Sequence, residues 1–419
     1  MKKLSGFAII VIATAIAGVA GYVITWLVPR AVGVADYTVF AIFWSFLFLI
    51  ISGLSGMQQE VTRATRETAT RGTGGLGRTQ VVGAVFAAAV FLAIIGSAPA
   101  WVNQAFPTEG WRLVWPLAVG AASYVLVAVV YGSLYGISAW GPLFWMISVD
   151  ALLRFMAILF LLLFTSNIVF LAWAVAIPFP ATLILLAPLL KSRLSGKVSL
   201  DVGPGRLLWN IARTIVAAGS TGIMVSGFPL LLGLTAGGEP DDQLGLLILA
   251  ITLTRAPLIV VVMALQSFLI VLFRNRSEGP WKTLIQIQGL IFGLGVLFAI
   301  AGWWAGPPVF AFLFPGELVP EGWLIAVLVV SSAFVGALCV SGAALLARAH
   351  HAAYSVGWLV AAVVTVLGLL LPLDFVARAV VALLVGPILG LVAHVGYLVA
   401  YRRSVSAPLR GELEQLPGE

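Results

Sequence analysis

Charge is scarce in this chain: 9% of its 419 residues are Asp, Glu, Lys or Arg, whereas 61% are hydrophobic. A soluble globule carries about 25% charged residues. The deficit excludes a water-soluble domain and points to an all-α polytopic membrane protein, in line with a mean hydropathy of +1.11. Cysteine is nearly absent. Cys339 is the only one and lies in an apolar segment, so neither an intramolecular disulfide nor a cysteine metal centre can form. No His/Cys/Glu group has metal-ligand spacing, and His350-His351 beside Arg348 reads as an interfacial basic patch. A phosphate-binding loop of the form G-x-x-x-x-G-K followed by Ser or Thr is missing, which removes a built-in ATPase. No cofactor and no metal is expected. The formal charge of +7 could suggest nucleic acid. The cations, however, sit in short loops between apolar runs, as orientation signals do, so no nucleic-acid partner is expected.

What is present is a succession of apolar runs. A membrane-spanning helix needs about 20 predominantly apolar residues. Twelve segments meet that length: 5–28, 37–57, 80–101, 112–132, 143–164, 168–190, 207–234, 244–272, 283–304, 321–346, 352–372 and 377–400. Lys2 and Lys3 ahead of small residues near Ala15 to Ala20 resemble a cleavable leader. The apolar run continues through Trp26 to Val28, too long for a leader core, and is taken as the first membrane helix.

Basic residues fall on one side of this ladder. They cluster in the loops of Arg63 to Arg78, Lys191 to Arg206, Arg274 to Lys282 and Arg348, and in the tail with Arg402, Arg403 and Arg410. The opposite loops carry Asp36, Glu109, Glu239, Asp241, Asp242, Glu317, Glu321 and Asp374. The positive-inside rule then places both termini in the cytoplasm. The Lys191–Arg206 loop halves the chain, giving a 1–190 lobe, a 191–206 basic linker, a 207–401 lobe and a 402–419 tail. The halves look like distant parallel repeats of six helices each, packed around a central cavity.

Six cations remain in or at the edge of the spans: Arg30, Arg112, Arg154, Arg213, Arg255 and Arg378. Arg30, Arg112 and Arg378 sit at helix ends, where snorkelling or capping accounts for them; for Arg30 a place in a binding cavity stays open. Arg213, about two turns in, has the same two readings. Asp150 and Arg154 are four apart, hence on one helix face and able to pair. They form either a self-neutralised structural pair, or an ion-coupling Asp150 beside a substrate-binding Arg154. Arg255 lies in Thr252-Leu-Thr-Arg255-Ala-Pro257 within a run of about thirty apolar residues, with no acid within a helical turn in sequence. An isolated charge in hydrocarbon costs several kcal/mol, so such a residue faces a partner or a wet cavity. Pro257 removes a backbone donor and can kink the helix there. Tryptophans near the predicted interfaces (Trp101, Trp111, Trp281, Trp323) form an ordinary belt. Gly132, Gly136 and Gly141 point to close helix packing.

The stretch Leu27-Val-Pro29-Arg30-Ala-Val-Gly33-Val-Ala-Asp36-Tyr37-Thr-Val-Phe40, followed by Ser52-Gly53-Leu-Ser-Gly56 and a basic loop, resembles the opening of oligosaccharide flippases. These belong to the multidrug/oligosaccharidyl-lipid/polysaccharide exporter superfamily. Leu253-Thr-Arg255-Ala-Pro257-Leu, ending in Ala264-Leu-Gln266-Ser-Phe268, is similar to the corresponding part of the second half. Asp36-Tyr37-Thr38 departs from members with a glycine after the tyrosine, and several members have two more helices.

The resemblance implies a transporter, not an enzyme, that moves a polyprenyl-pyrophosphate-linked sugar to the outer leaflet of the bacterial cytoplasmic membrane by rocking two lobes. It implies a lipid-linked oligosaccharide substrate, the bilayer, and a polysaccharide polymerase or glycosyltransferases as partners. Arg255, Arg154, Arg30 and Arg213 are the candidate ligands for the pyrophosphate, whose planar guanidinium partners suit phosphate; Asp150 is the candidate for ion coupling. Two other functions compete. A cation-coupled drug exporter would favour cavity carboxylates, and Asp150 is the only acid deep in a span. A membrane polymerase or glycosyltransferase needs sizeable outer loops, and the only acidic cluster there is Glu239-Pro-Asp241-Asp242.

Overall fold

The computed structural model describes residues 6–67, 75–194, 198–200, 204–237, 241–265, 269–270, 272–273, 280–316 and 318–414. Residues 2 and 3, 71, 197, 239, 266 to 268, 274, 276 and 317, used above for orientation or resemblance, lie outside them. The chain is built of helices: α1 (Gly6–Val32), α2 (Val34–Ala64), α3 (Gly75–Ala105), α4 (Trp111–Gly136), α5 (Trp140–Leu162), α6 (Ile168–Ala176), α7 (Pro178–Leu185) and α8 (Ala187–Leu194). Then come α9 (Pro204–Val225), α10 (Phe228–Thr235), α11 (Asp241–Ala264), α12 (Pro280–Leu313), α13 (Gly322–Leu346), α14 (His351–Leu369) and α15 (Phe375–Glu414). Two three-residue strands, β1 (Thr65–Glu67) and β2 (Val198–Leu200), pair antiparallel with Thr65 opposite Leu200. They join two of the basic loops and were not expected from sequence.

Among the described residues, ten helical stretches, with Ile168–Leu185 across α6 and α7 as one of them, are long and apolar enough to cross a membrane, and the pair α9–α10 makes an eleventh span with a 73° bend. The remaining predicted segment, 244–272, overlaps α11, which is helical through Pro257 and ends at Ala264. The 168–190 segment is divided into α6, α7 and α8, with Pro178 opening the second piece.

Packing divides the chain into two compact units, Met1–Leu253 with Pro307–Pro320, and Thr254–Gly306 with Glu321–Glu419. These units do not follow the sequence midpoint, because α9 and α10 pack inside the first, against α2.

In the first unit, α1 and α2 are joined by Gly33 alone, at φ 83°. That left-handed conformation is open to glycine and strained for other residues. The Gly33 amide donates to the Pro29 carbonyl and the Tyr37 amide to the Gly33 carbonyl, at 2.9 and 3.0 Å, so both helix ends share the linker. Apolar burial drives little association in lipid, where small residues let helices approach closely. A β-carbon on Gly132 would come within 2.7 Å of the Val61 side chain, and one on Gly136 within 2.6 Å of Thr65, so α4 fits α2 only with glycine there. Gly141, expected to do the same, faces open space.

The bend between α9 and α10 has an identifiable cause. The Ser45 hydroxyl of α2 donates to the Ser226 carbonyl at 2.6 Å and accepts from the Leu230 amide at 3.0 Å. These two groups are four residues apart and would bond to each other in an unbroken helix. A side chain inserted into the helical ladder kinks it, and here it also satisfies both buried groups.

The second unit packs α14 on α15 and α13 on α15. Thr365 Oγ1 donates to the Ala382 carbonyl at 3.1 Å across the α14–α15 seam. Gln288 of α12 donates from Nε2 to the Ala337 carbonyl of α13 at 3.0 Å. Both bonds spend a side-chain donor on a helix carbonyl within an otherwise apolar contact.

Candidate functional site

Asp150 and Arg154 meet as their spacing on α5 predicts. Arg154 Nη2 donates to Asp150 Oδ1 and Oδ2 at 3.1 and 2.9 Å. Its Nε donates to the Val175 carbonyl at 3.2 Å. Val175 lies in the last turn of α6, where carbonyls lack intrahelical donors. The guanidinium also lies over the rings of Phe179 and Phe48, at 4.6 and 5.6 Å from their centroids. Tyr124 and Tyr131 of α4 are close enough to interact electrostatically with the pair. Arg154 is 7% exposed. It therefore neutralises a carboxylate, caps a helix and stacks on aromatic faces at once. That is the geometry of the structural reading, and the anion-binding reading would require at least one of these contacts to be exchanged.

The other arginines are placed differently. Arg255 is 5% exposed and helical within α11, the deep and covered position its sequence context demands. Arg30, in the last turn of α1, is exposed and lies 5.1 Å over the Trp26 ring. Arg213 projects from the exposed side of α9, next to Thr214, whose backbone packs on Gly56. Arg112 pairs with Glu109 at 3.5 Å, and Arg378 lies over the Phe375 ring at 5.3 Å, as expected for helix ends. Among the described residues no group of three His, Cys, Asp or Glu could hold a metal ion.

Two polar clusters were not foreseen. Glu60, 4% exposed, accepts from Arg63 Nε and Nη2 at 2.8 and 2.7 Å and from Asn210 Nδ2 of α9 at 2.8 Å. It belongs to α2, which runs seven residues beyond the segment expected to end at 57. In the second unit His394 is fully buried among α13, α14 and α15. Its Nδ1 is 2.9 Å from Ser341 Oγ and its Nε2 is 3.0 Å from the Tyr354 carbonyl. The sequence signal was available: His394 is an ionisable residue inside a predicted span, which by default marks function.

This fold is found in solved transporters. The chain superposes on an inward-facing multidrug resistance MATE family transporter of the MOP superfamily with a TM-score of 0.66 and 14% identity, covering 93% of this chain and 95% of that one. A MOP superfamily transporter from Pyrococcus furiosus, described as having a binding pocket of reverse polarity, gives 0.59 and 14% over 96% of both chains. The eukaryotic MATE transporter AtDTX14 gives 0.59 and 12%, covering 94% and 95%. The fold is thus the two-lobed MATE-like one, and the chain is a multi-pass membrane protein. No protein-family model matches the sequence. Among curated proteins, it is 34% identical to the uncharacterized protein Mb3654 of Mycobacterium bovis over 396 residues, 94% of this chain and 91% of that one. It is 33% identical to the uncharacterized protein Rv1510 of Mycobacterium tuberculosis over 396 residues, 92% and 90% of the two. At that identity and coverage, the chain belongs to the family of these mycobacterial proteins.

Proposed function

We propose that this protein is a flippase that moves a polyprenyl-(pyro)phosphate-linked oligosaccharide from the inner to the outer leaflet by alternating access, for surface polysaccharide assembly. The observation that carries the reading is the charge balance of the deep positions. Asp150 pairs with Arg154 at 2.9 Å, and the formal charges of the three deep span residues Asp150, Arg154 and Arg255 sum to +1. A cationic interior suits a multiply anionic headgroup, and guanidinium forks bind phosphate oxygens in pairs. The MATE-like fold supports transport, and the Pyrococcus neighbour is described as having a binding pocket of reverse polarity that suggests a different function. In this reading Arg255 is the principal pyrophosphate ligand, and the bacterial cytoplasmic membrane holds the chain with both termini cytoplasmic. A polymerase or glycosyltransferase consumes the delivered glycan.

The test is leaflet accessibility of a defined polyprenyl-pyrophosphate glycan in proteoliposomes. Arg255→Ala is expected to insert and fold, yet to flip at least ~10-fold more slowly, the scale of losing a hydrogen bond to a charged group. Arg255→Lys should retain part of the rate. Unchanged flipping by folded Arg255→Ala would overturn the reading. The multidrug resistance transporters among the structural neighbours favour a second one, cation-coupled export of drugs or other small molecules. Extrusion of a cationic dye by the same vesicles, without glycan flipping, would establish it.

A further inference from the structure

The surroundings of His394 are built to hold a ring nitrogen in either of two hydrogen-bonding roles. Nε2 faces the Tyr354 carbonyl, which only accepts, so Nε2 carries a hydrogen. Nδ1 faces Ser341 Oγ, and that hydroxyl has a second neighbour, the Leu338 carbonyl, also at 2.9 Å. With a neutral ring, the Ser341 hydroxyl donates to Nδ1. With a proton on Nδ1, that nitrogen donates to Oγ and the hydroxyl turns to Leu338. Every polar atom stays bonded in both states, and the only internal change is rotation of one hydroxyl.

The ring's space is made by glycine. A β-carbon on Gly357 would overlap the imidazole, and the Tyr354 ring stacks on it at 6.2 Å and 17°. Tyr397, three residues along α15, has its hydroxyl 3.2 Å from His350 Nδ1 at the start of α14. The His350 ring lies edge-on to Tyr401 at 4.5 Å, and His351 beside it is exposed. The titratable groups on the packed elements are thus His350, His351 and Tyr354 with α14, Cys339 on α13, and Tyr397 and Tyr401 on α15. The spans of α13 and α14 contain no Asp, Glu, Lys or Arg, and α15 carries only Arg378 before its basic end, sixteen residues from His394.

We propose that His394 is a proton-binding site inside the second unit. A proton taken up from the solvent comes to rest on Nδ1, which then donates to Ser341 Oγ while that hydroxyl turns to the Leu338 carbonyl; its release reverses both movements. Its use to drive transport rests on the function proposed above, whereas the site itself does not.

The test is magnetic resonance of ring-labelled histidine in the full chain in lipid nanodiscs, with His394→Gln assigning the signal among three histidines. The His394 ring is expected to change from the Nε2-protonated neutral form to the doubly protonated form as pH is lowered from 9 to 4. Ser341→Ala removes the acceptor of the Nδ1 proton and should lower the midpoint by about one pH unit, a tenfold loss of proton affinity. A ring that stays neutral across the range, or a midpoint indifferent to Ser341→Ala, would overturn the proposal and leave the flippase reading intact. In the glycan assay, an imposed pH gradient should change the rate of the natural protein and not of His394→Gln. An equal response from both would remove the coupling role while the resonance result still decides the site.

Discussion

In the first unit a guanidinium and a carboxylate are buried together; in the second an imidazole is buried with a hydroxyl and two carbonyls. Both networks sit among apolar helices, and both span helices distant in sequence. The Asp150–Arg154 pair is locked by full opposite charges, and taking either partner away strands the other in low dielectric. The His394 network has no formal partner charge, so it can change its proton inventory without losing a bond. One arrangement suits permanence, the other exchange.

The comparison breaks hardest at the charged end. Arg154→Met leaves Asp150 buried without its cation and should cost about 3–5 kcal/mol, the range for one-sided loss of a buried pair. Thermal unfolding in detergent would measure it, and the double variant Asp150→Asn/Arg154→Met should recover most of the loss. If the single and double variants are equally destabilised, the pair is not what holds α5 to α6. Gly357→Ala sharpens the neutral end. Its β-carbon meets the His394 ring, so about 1–3 kcal/mol of overpacking is expected. Combining it with His394→Ala should relieve that cost, which a double-mutant cycle would detect. The smallest effect belongs to Glu60. Asn210→Ala removes one of its three hydrogen-bond donors and leaves both from Arg63, for a loss of about 1 kcal/mol.

Helix count and the deep pair were legible because both are local signals. An apolar run of spanning length needs no partner to be recognised, and residues four apart on a helix share a face whatever surrounds them. The bend at Ser226 was hidden for the opposite reason. Pro229 is tolerated in many membrane helices, and the hydroxyl that opens this one comes from Ser45, 181 residues earlier. The partners of His394 are likewise 53 and 40 residues away, on two other helices, within a stretch that reads simply as apolar. Glu60 was assigned to a loop because polarity rises after Met57, yet α2 continues through it to Ala64 and α9 supplies Asn210. For Arg255 the cost argument calls for a partner or a wet cavity, and the residue is 5% exposed within α11.

The Ser45 oxygen sets a tolerance on α2. Each residue of a helix advances it by about 1.5 Å and turns it by roughly 100°. One residue inserted between Gly33 and Ser45 would carry the hydroxyl around the helix and away from both the Ser226 carbonyl and the Leu230 amide. A single atom thereby fixes the rotational phase of a 31-residue rod against the jointed span beside it, so length changes in this region can be absorbed only before the rod begins or beyond that contact.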